Sequence, residues 1–269
     1  PYTEGFRKAL KITNGNQTNG AGADDYVQIE QRFEAQDIAN SGWNYTSSSS
    51  FITLSFWVKS SVSQDFQIVL RTTDGTSQSF QFETPTLSAD TWTKVVKTIP
   101  GNSNLQFDNN VSQGMTIYWF PYIGTAYTSG SNTLNSWVQS SSSTYGVTDP
   151  TTWYTTNDAT FEITGVQLEV GSQATAFEHR SYGDELALCQ RYYQGANTVG
   201  AGYGSADGYA RAGCVYSVVM RSTPTLTATN TGSGSIIAAD SSSTGFYVTY
   251  GSLSGSSAGI FNYVADAEL

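Results

Sequence analysis

Apolar and polar residues alternate with a period of two over most of this chain. In "FITLSFWVK" (51–59), Ile52, Leu54, Phe56 and Val58 share one face while Thr53, Ser55 and Lys59 take the other, the pattern of a strand with one side on a core. "FQIVLR" (66–71) repeats it with Phe66, Ile68 and Leu70. The same pattern predicts strands in "YVQIEQRF" (26–33), "SFQFE" (79–83), "WTKVVKTI" (92–99), "MTIYWFPY" (115–122) and "FEITGVQLEV" (161–170). Asp74-Gly75, Pro100-Gly101 and Asp149-Pro150 supply breaks. In the last strand Phe161 and Ile163 have one parity and Val166, Leu168 and Val170 the other, so the apolar phase slips at Gly165. A bulge at that glycine would return both sets to the core. Short, aromatic-rich strands without helices predict an all-β sandwich of the jelly-roll kind over residues 1–180.

The period changes once, in "EHRSYGDELALCQRYYQ" (178–194). Asp184 and Glu185 at the start, Arg191 near the end and Gly195 after it suit a helix from Asp184 to Gln194. On it Leu186, Leu188, Cys189, Tyr192 and Tyr193 cover an arc of roughly 160°, wider than one core requires. A helix this short is marginal alone in water. It is expected to be covered by its own chain on one side and by a neighbouring subunit on the other. Residues 181–195 therefore link the sandwich to a small antiparallel β domain over 196–269, with strands in 211–221, 225–229, 245–251 and 259–265. Strands so few and so short gain most by pairing with copies of themselves.

Composition narrows the partners. The net charge is −10, and residues 98 to 179 hold no Lys or Arg, so a phosphate backbone would be repelled and nucleic acid is excluded. No run of 18 apolar residues and no charged-then-apolar leader occurs, which predicts neither membrane insertion nor secretion. The start at Pro1 suggests a processed chain or a piece of something longer. Cys189 and Cys214 match no zinc spacing and are expected to be buried free thiols.

No catalytic constellation emerges. "GSSAG" (255–259) satisfies G-x-S-x-G around Ser257, but that motif needs a strand–turn–helix and a histidine base. The one histidine, His179, is expected to be a structural hydrogen-bonding residue between Glu178 and Arg180. Asp24 and Asp25 form a turn before Tyr26 or, alternatively, hold a structural Ca²⁺; no other cofactor is expected. Paired carboxylates that cut a glycan are invisible in sequence, because their separation is spatial.

"FEITGVQLEVGSQATAFEHRSYGDELALCQRYYQ" (161–194) closely resembles a segment of bacteriophage tail-fibre and receptor-binding proteins, in which a last sandwich strand leads through an "ATxFExR" loop into an "LxxCQRYY" helix. "VVMRSTPTLT" (218–227) and "YVADAEL" (263–269) are similar to the C-terminal region of the same proteins. Ala176 departs from the proline that such loops often carry, which makes the loop less rigid. "LSFWVKS" and "WTKVVKTIPG" are similar to carbohydrate-binding-module-like jelly rolls. The resemblance implies a virion tail fibre, assembled in the host cytoplasm as a homotrimer and joined to other tail proteins through a preceding N-terminal region. It implies adhesion to a bacterial surface polysaccharide or lipopolysaccharide without catalysis. A depolymerase and a purely structural fibre component are the alternatives.

Sugars stack C–H faces on aromatic rings and seek uncharged hydrogen-bonding groups, and this chain has 17 Tyr, 13 Phe and 6 Trp. Tyr203, Asp207 and Tyr209 in "GAGYGSADGYAR" (200–211) are the first candidates for glycan contact; a plain hairpin loop with solvent-facing tyrosines is the other interpretation. In "YTSGSNTLNSWVQSSSSTYG" (127–146), Tyr127 and Tyr145 are further candidates and Trp137 is assigned to the core.

Overall fold

The computed structural model describes every residue except Thr18, Ser131, Thr148, Asp149, 204–209, Ser233, 252–257 and Leu269, and the backbone alone at 197–203, 210, 258 and 259. The chain divides into two compact units, 1–178 and 179–269.

Among the described residues the first unit contains nine strands: β1 (Leu10–Thr13), β2 (Tyr26–Glu34), β3 (Phe51–Ser60), β4 (Gln67–Thr72), β5 (Gln78–Glu83), β6 (Thr93–Pro100), β7 (Gln113–Ile123), β8 (Trp137–Gln139) and β9 (Thr160–Val170). They form two antiparallel sheets, β1-β9-β3-β6 and β2-β7-β4-β5-β8. Without β8, the orders 1-9-3-6 and 2-7-4-5 are those of a jelly roll, two Greek keys wound into a sandwich. β8 is a three-residue addition beside β5. The core lies between the sheets, where Leu54, Phe56 and Val58 of β3 and Phe161 and Ile163 of β9 meet Ile68, Leu70, Phe80, Phe82, Ile117 and Trp119. Those of β3, β4 and β9 have the parity that alternation assigned to the apolar face.

Both irregularities in the ladders have a sequence cause. Gly165 takes φ +61° where one residue of β3, Phe56, opposes two of β9, Gly165 and Val166, so the predicted bulge forms. It recovers less than expected: Leu168 packs toward the core, but Val166 in the bulge and Val170 at the strand end stay exposed. In β7 the register slips between Val27↔Tyr122 and Ile29↔Trp119, at the position of Pro121. A proline has no N–H for a ladder, and the slip accommodates it in a strand that has neighbours on both sides. It also brings Phe120 and Ile123 to the same side of the sheet, away from the main core.

Alternation suggests that β4, β5 and β7 have one wet face. Instead their outward residues Gln67, Ser79, Gln81 and Thr116 are fully buried. The connection from β7 to β9 folds back over them. Gln67 donates from Nε2 to Glu83 Oε1 at 2.8 Å and accepts at Oε1 from the Val147 amide at 3.3 Å. Gln81 donates to Asn132 Oδ1 at 3.2 Å and to the Thr144 carbonyl. Glutamine amides can be buried there because the covering strap supplies their partners.

The second unit begins with a helix, designated α1 (Tyr182–Gln190), followed by β10 (Tyr193–Tyr203), β11 (Ala210–Val215), β12 (Thr225–Asn230), β13 (Ser235–Ser241), β14 (Gly245–Gly251) and β15 (Ala258–Asp266). Two three-stranded sheets, β10-β15-β12 and β11-β14-β13, enclose a core of Phe246, Val248, Tyr250, Phe261, Tyr263 and Ala265. The helix is two turns and a half, capped by Ser181, whose Oγ accepts from the Asp184 amide at 3.2 Å.

The expected helix to Gln194 is corrected here. It ends at Gln190, and Tyr193 already pairs with Asp266 as a strand residue. The chain is drawn off the helix by tertiary hydrogen bonds: the Arg221 amide to the Arg191 carbonyl at 3.0 Å and the Ala267 amide to the Tyr192 carbonyl at 2.8 Å. Aromatic residues at 192 and 193 also favour strand geometry. Only Leu186, Leu188 and Cys189 of the predicted stripe remain helical. Among the described residues the helix buries none of its own side chains, and Leu186, Leu188 and Tyr193 are 40%, 48% and 49% exposed, less cover than expected. Cys189 is exposed and Cys214 partly so, against the expectation of two buried thiols. The strand predicted over 211–221 stops at Val215, because Tyr216 turns inward with its amide on the Thr244 carbonyl at 3.0 Å.

Candidate functional site

The outer face of the five-stranded sheet carries an aromatic cluster of its own, separate from the main core. Alternation along β7 sends Met115, Ile117 and Trp119 inward and Tyr118 and Phe120 outward. The two outward rings stack with centroids 5.8 Å apart and planes 17° from parallel. Val69 of β4, directly across from Tyr118, and Ile123 complete the floor. The strap after β7 then lays Tyr127 and Tyr145 on top, packed edge-to-face with centroids 6.2 Å apart. Tyr26, at the start of β2 and 51% exposed, meets Tyr127 edge-to-face at 5.4 Å. Between these rings lies a cleft of about 280 Å³, open to solvent, whose polar lining is Gln28, Ser142 and the tyrosine hydroxyls.

Arg71 fixes one wall. Its guanidinium lies over the Tyr145 ring, 4.8 Å from the centroid, and donates from Nη1 to the Tyr145 hydroxyl. Its Nε reaches Ser77 Oγ at 3.4 Å. Burial, more than any neighbour, pushes the Tyr118 phenol above its ordinary pKa, so it stays a neutral hydrogen-bonding group through the physiological range. No carboxylate lines the cleft among the described residues. Flat rings beside uncharged donors and acceptors can hold a pyranose by C–H stacking and hydroxyl contacts. The volume is at the small end for ligand sites and fits one or two sugar rings.

The structure distributes the sequence candidates unevenly. Tyr127 and Tyr145 meet in this cleft. Trp137 packs on Phe80 with ring centroids 5.4 Å apart and donates from Nε1 to the Pro100 carbonyl at 2.7 Å. Tyr203 ends strand β10 opposite Ala258, in place of the loop predicted for it, while Asp207 and Tyr209 lie outside the described residues. Ser257 lies outside them too. His179 is exposed at the start of the second unit. Asp25 makes a turn: its Oδ2 accepts from the Gly22 amide at 2.8 Å and from the Tyr154 hydroxyl at 2.9 Å. That hydrogen bond, ahead of burial, raises the Tyr154 pKa. Tyr26, Tyr118 and Phe120 were not singled out in sequence. The signal was present, since two aromatic residues occupy the polar parity of the β7 pattern.

A larger depression of about 460 Å³ opens on the second unit beside Cys214, Val215, Asp240 and Tyr247. It is shallow and has Tyr247 as its one exposed ring, with Phe246 committed to the core.

No family model matches the chain, and no curated protein matches it. Among solved structures it is similar to wild-type discoidin II from Dictyostelium discoideum, with 11% identity, 89% of this chain and 93% of that chain covered, and a TM-score of 0.21. A likeness that faint carries no argument; the jelly roll rests on the strand order alone.

Proposed function

We propose that this chain is the host-attachment part of a bacteriophage tail fibre, and that it adheres to a bacterial surface glycan through the tyrosine cleft without cutting it. The observation that carries the binding half is the cleft itself: four tyrosines and a phenylalanine gathered on the outer face of a jelly-roll sheet, with no carboxylate among them. A surface made only for solubility would leave polar side chains on that face rather than stacked rings. The phage half rests on the resemblance of residues 161–194, 218–227 and 263–269 to tail-fibre segments. A fibre of this kind is a homotrimer carried on the virion and attached to other tail proteins, so that weak single sites add through multivalency.

Tyr145→Ala and Tyr127→Ala, each made in the whole chain, test the cleft against immobilised polysaccharides and lipopolysaccharides from a panel of bacteria. Loss of binding by about tenfold or more in each, with the melting temperature held, is the expected result. Binding by the parent chain that survives both changes would move the site elsewhere. New reducing ends in the incubated polysaccharide would replace adhesion by depolymerisation, and absence of binding to every sample would leave a structural fibre component.

A further inference from the structure

The register of the five-stranded sheet places a pair of arginines beside the cleft, on its own face. Arg32 of β2 and Arg71 of β4 both stand directly opposite Thr116 of β7, on its two sides. Opposite residues in adjacent strands share a face, so both side chains leave the sheet with Tyr118 and Phe120, from Cα positions about 10 Å apart. Two arginine side chains can close that gap around one small anion.

Arg71 is the more telling of the two. It is half-buried, and its contacts are the neutral Tyr145 ring and hydroxyl and the Ser77 hydroxyl; among the described residues no carboxylate pairs with it. In a chain with 22 acidic residues against 12 basic ones, a partly desolvated guanidinium without a carboxylate is unexpected. Tyr145 joins it to the cleft: one face of that side chain lines the cleft while its hydroxyl accepts from Arg71. Glu34, two residues after Arg32 on β2, is buried and accepts from Gln36 Nε2 at 2.7 Å. Glu30, directly across from Tyr118, is neutralised by Arg32 at 2.6 Å. Glu83 stands two rows away along the strands, about 13 Å by strand rise and beyond a Debye length.

We infer that the cleft selects an acidic sugar, a pyranose bearing a carboxylate, which Arg71 and Arg32 receive while the tyrosines stack its ring. This rests on the cleft being a glycan site. A guanidinium presents paired donors that match a carboxylate in one plane, which a lysine could not supply. The chain's net charge of −10 opposes a densely charged polymer but is screened for a single group seated between two arginines. The ligand is therefore a mostly neutral glycan with isolated uronic acid units.

The test presents a panel of uronic-acid-containing bacterial polysaccharides to the whole chain, each in its natural form and after carbodiimide–borohydride reduction of its carboxyls to alcohols. The readout is the ratio of the two affinities. The parent chain is expected to prefer the acidic form by about ten- to a hundredfold. Arg71→Gln should bring the ratio close to one, and Arg71→Lys should retain part of it. Raised salt should lower the acidic affinity and leave the reduced form nearly unchanged. Equal affinity of the parent chain for both forms, or a ratio that survives Arg71→Gln, overturns the acid-selecting pair and leaves the tyrosine cleft standing. Binding to neither form across the panel removes the glycan site, and with it this inference.

Discussion

Gly165 lies against the ring of Phe6, so close that a Cβ on the glycine would come within 2.5 Å of Phe6 Cζ. Phe6 is held in place by an edge-to-face contact with Phe177, centroids 4.9 Å apart. Gly165 also has φ +61°, which an L-residue adopts at a cost of about 1–2 kcal/mol. Gly165→Ala should therefore destabilise the first unit by about 2–3 kcal/mol in chemical denaturation. In a Phe6→Ala background the steric part vanishes and the backbone part remains, so the loss should shrink to about 1–2 kcal/mol. An undiminished loss would place the whole cost in the backbone.

Gln194 holds the turn that sequence had assigned to the helix. Its side chain is 4% exposed; Nε2 donates to the Gln190 and Val218 carbonyls at 2.9 and 2.8 Å, and Oε1 accepts from the Ser217 amide and hydroxyl, both at 3.0 Å. Gln194→Glu would aim one carboxylate oxygen at two carbonyls in a buried place. The folded state would then keep that acid protonated, with its pKa raised above the unfolded value. Folded chain thus binds more protons than unfolded, and stability falls as pH rises through the range between the two values. At neutral pH the variant should be less stable than the parent by about 2–3 kcal/mol, with much of the loss recovered near pH 4. Melting curves from pH 4 to 8 check this, and a pH-independent deficit would count against it.

The sandwich was legible in sequence because β3, β4, β5, β6, β7 and β9 alternate with period two around one core. What alternation could not show was that a second layer covers the outer face. The polarity of Gln67, Gln81 and Thr116 reads as solvent exposure, whereas the strap from 124 to 147 gives hydrogen-bonding partners to the two glutamines and Gln113 gives one to Thr116. The cleft was half visible for the same reason: Tyr127 and Tyr145 stand out in a loop, but Tyr118 and Phe120 acquire meaning only once the strap lies over them. In the second unit, local periodicity made 184–194 one helix, and a pairing with Asp266, more than seventy residues away, overrode it at Tyr193.

Tyr216 offers a check on the second core. Burial, with smaller effects of Tyr263 and Cys214, raises its pKa to about 12, and its hydroxyl is buried with no hydrogen-bond partner among the described residues. The unfolded chain would ionise this phenol near pH 10. Its contribution to stability is whole below that value and disappears as pH climbs from about 10 toward 12, because the folded state holds the proton longer. Tyr216→Phe should be nearly neutral or slightly stabilising at pH 7, since it deletes an unsatisfied buried hydroxyl. It should also flatten the alkaline decline. A spectrophotometric titration at the tyrosinate band, with and without the change, should lose its highest-pH step in the variant.

Assembly can be tested through the helix without disturbing the fold of the single chain. Leu186 and Leu188 are 40% and 48% exposed, Tyr182 is 81% exposed, and the helix buries none of its residues within the chain. Aspartate at Leu186 and Leu188 therefore costs the monomer almost nothing beyond a small change in helix propensity. In a trimer covered along that helix, the same two changes would bury unpaired charge at each contact. The parent chain is expected to sediment with the mass of three copies, and the Leu186→Asp, Leu188→Asp double variant with the mass of one, at an unchanged far-ultraviolet spectrum. A parent chain that sediments as one copy would end the trimer proposal, and a double variant that stays at three copies would move the contact off this helix.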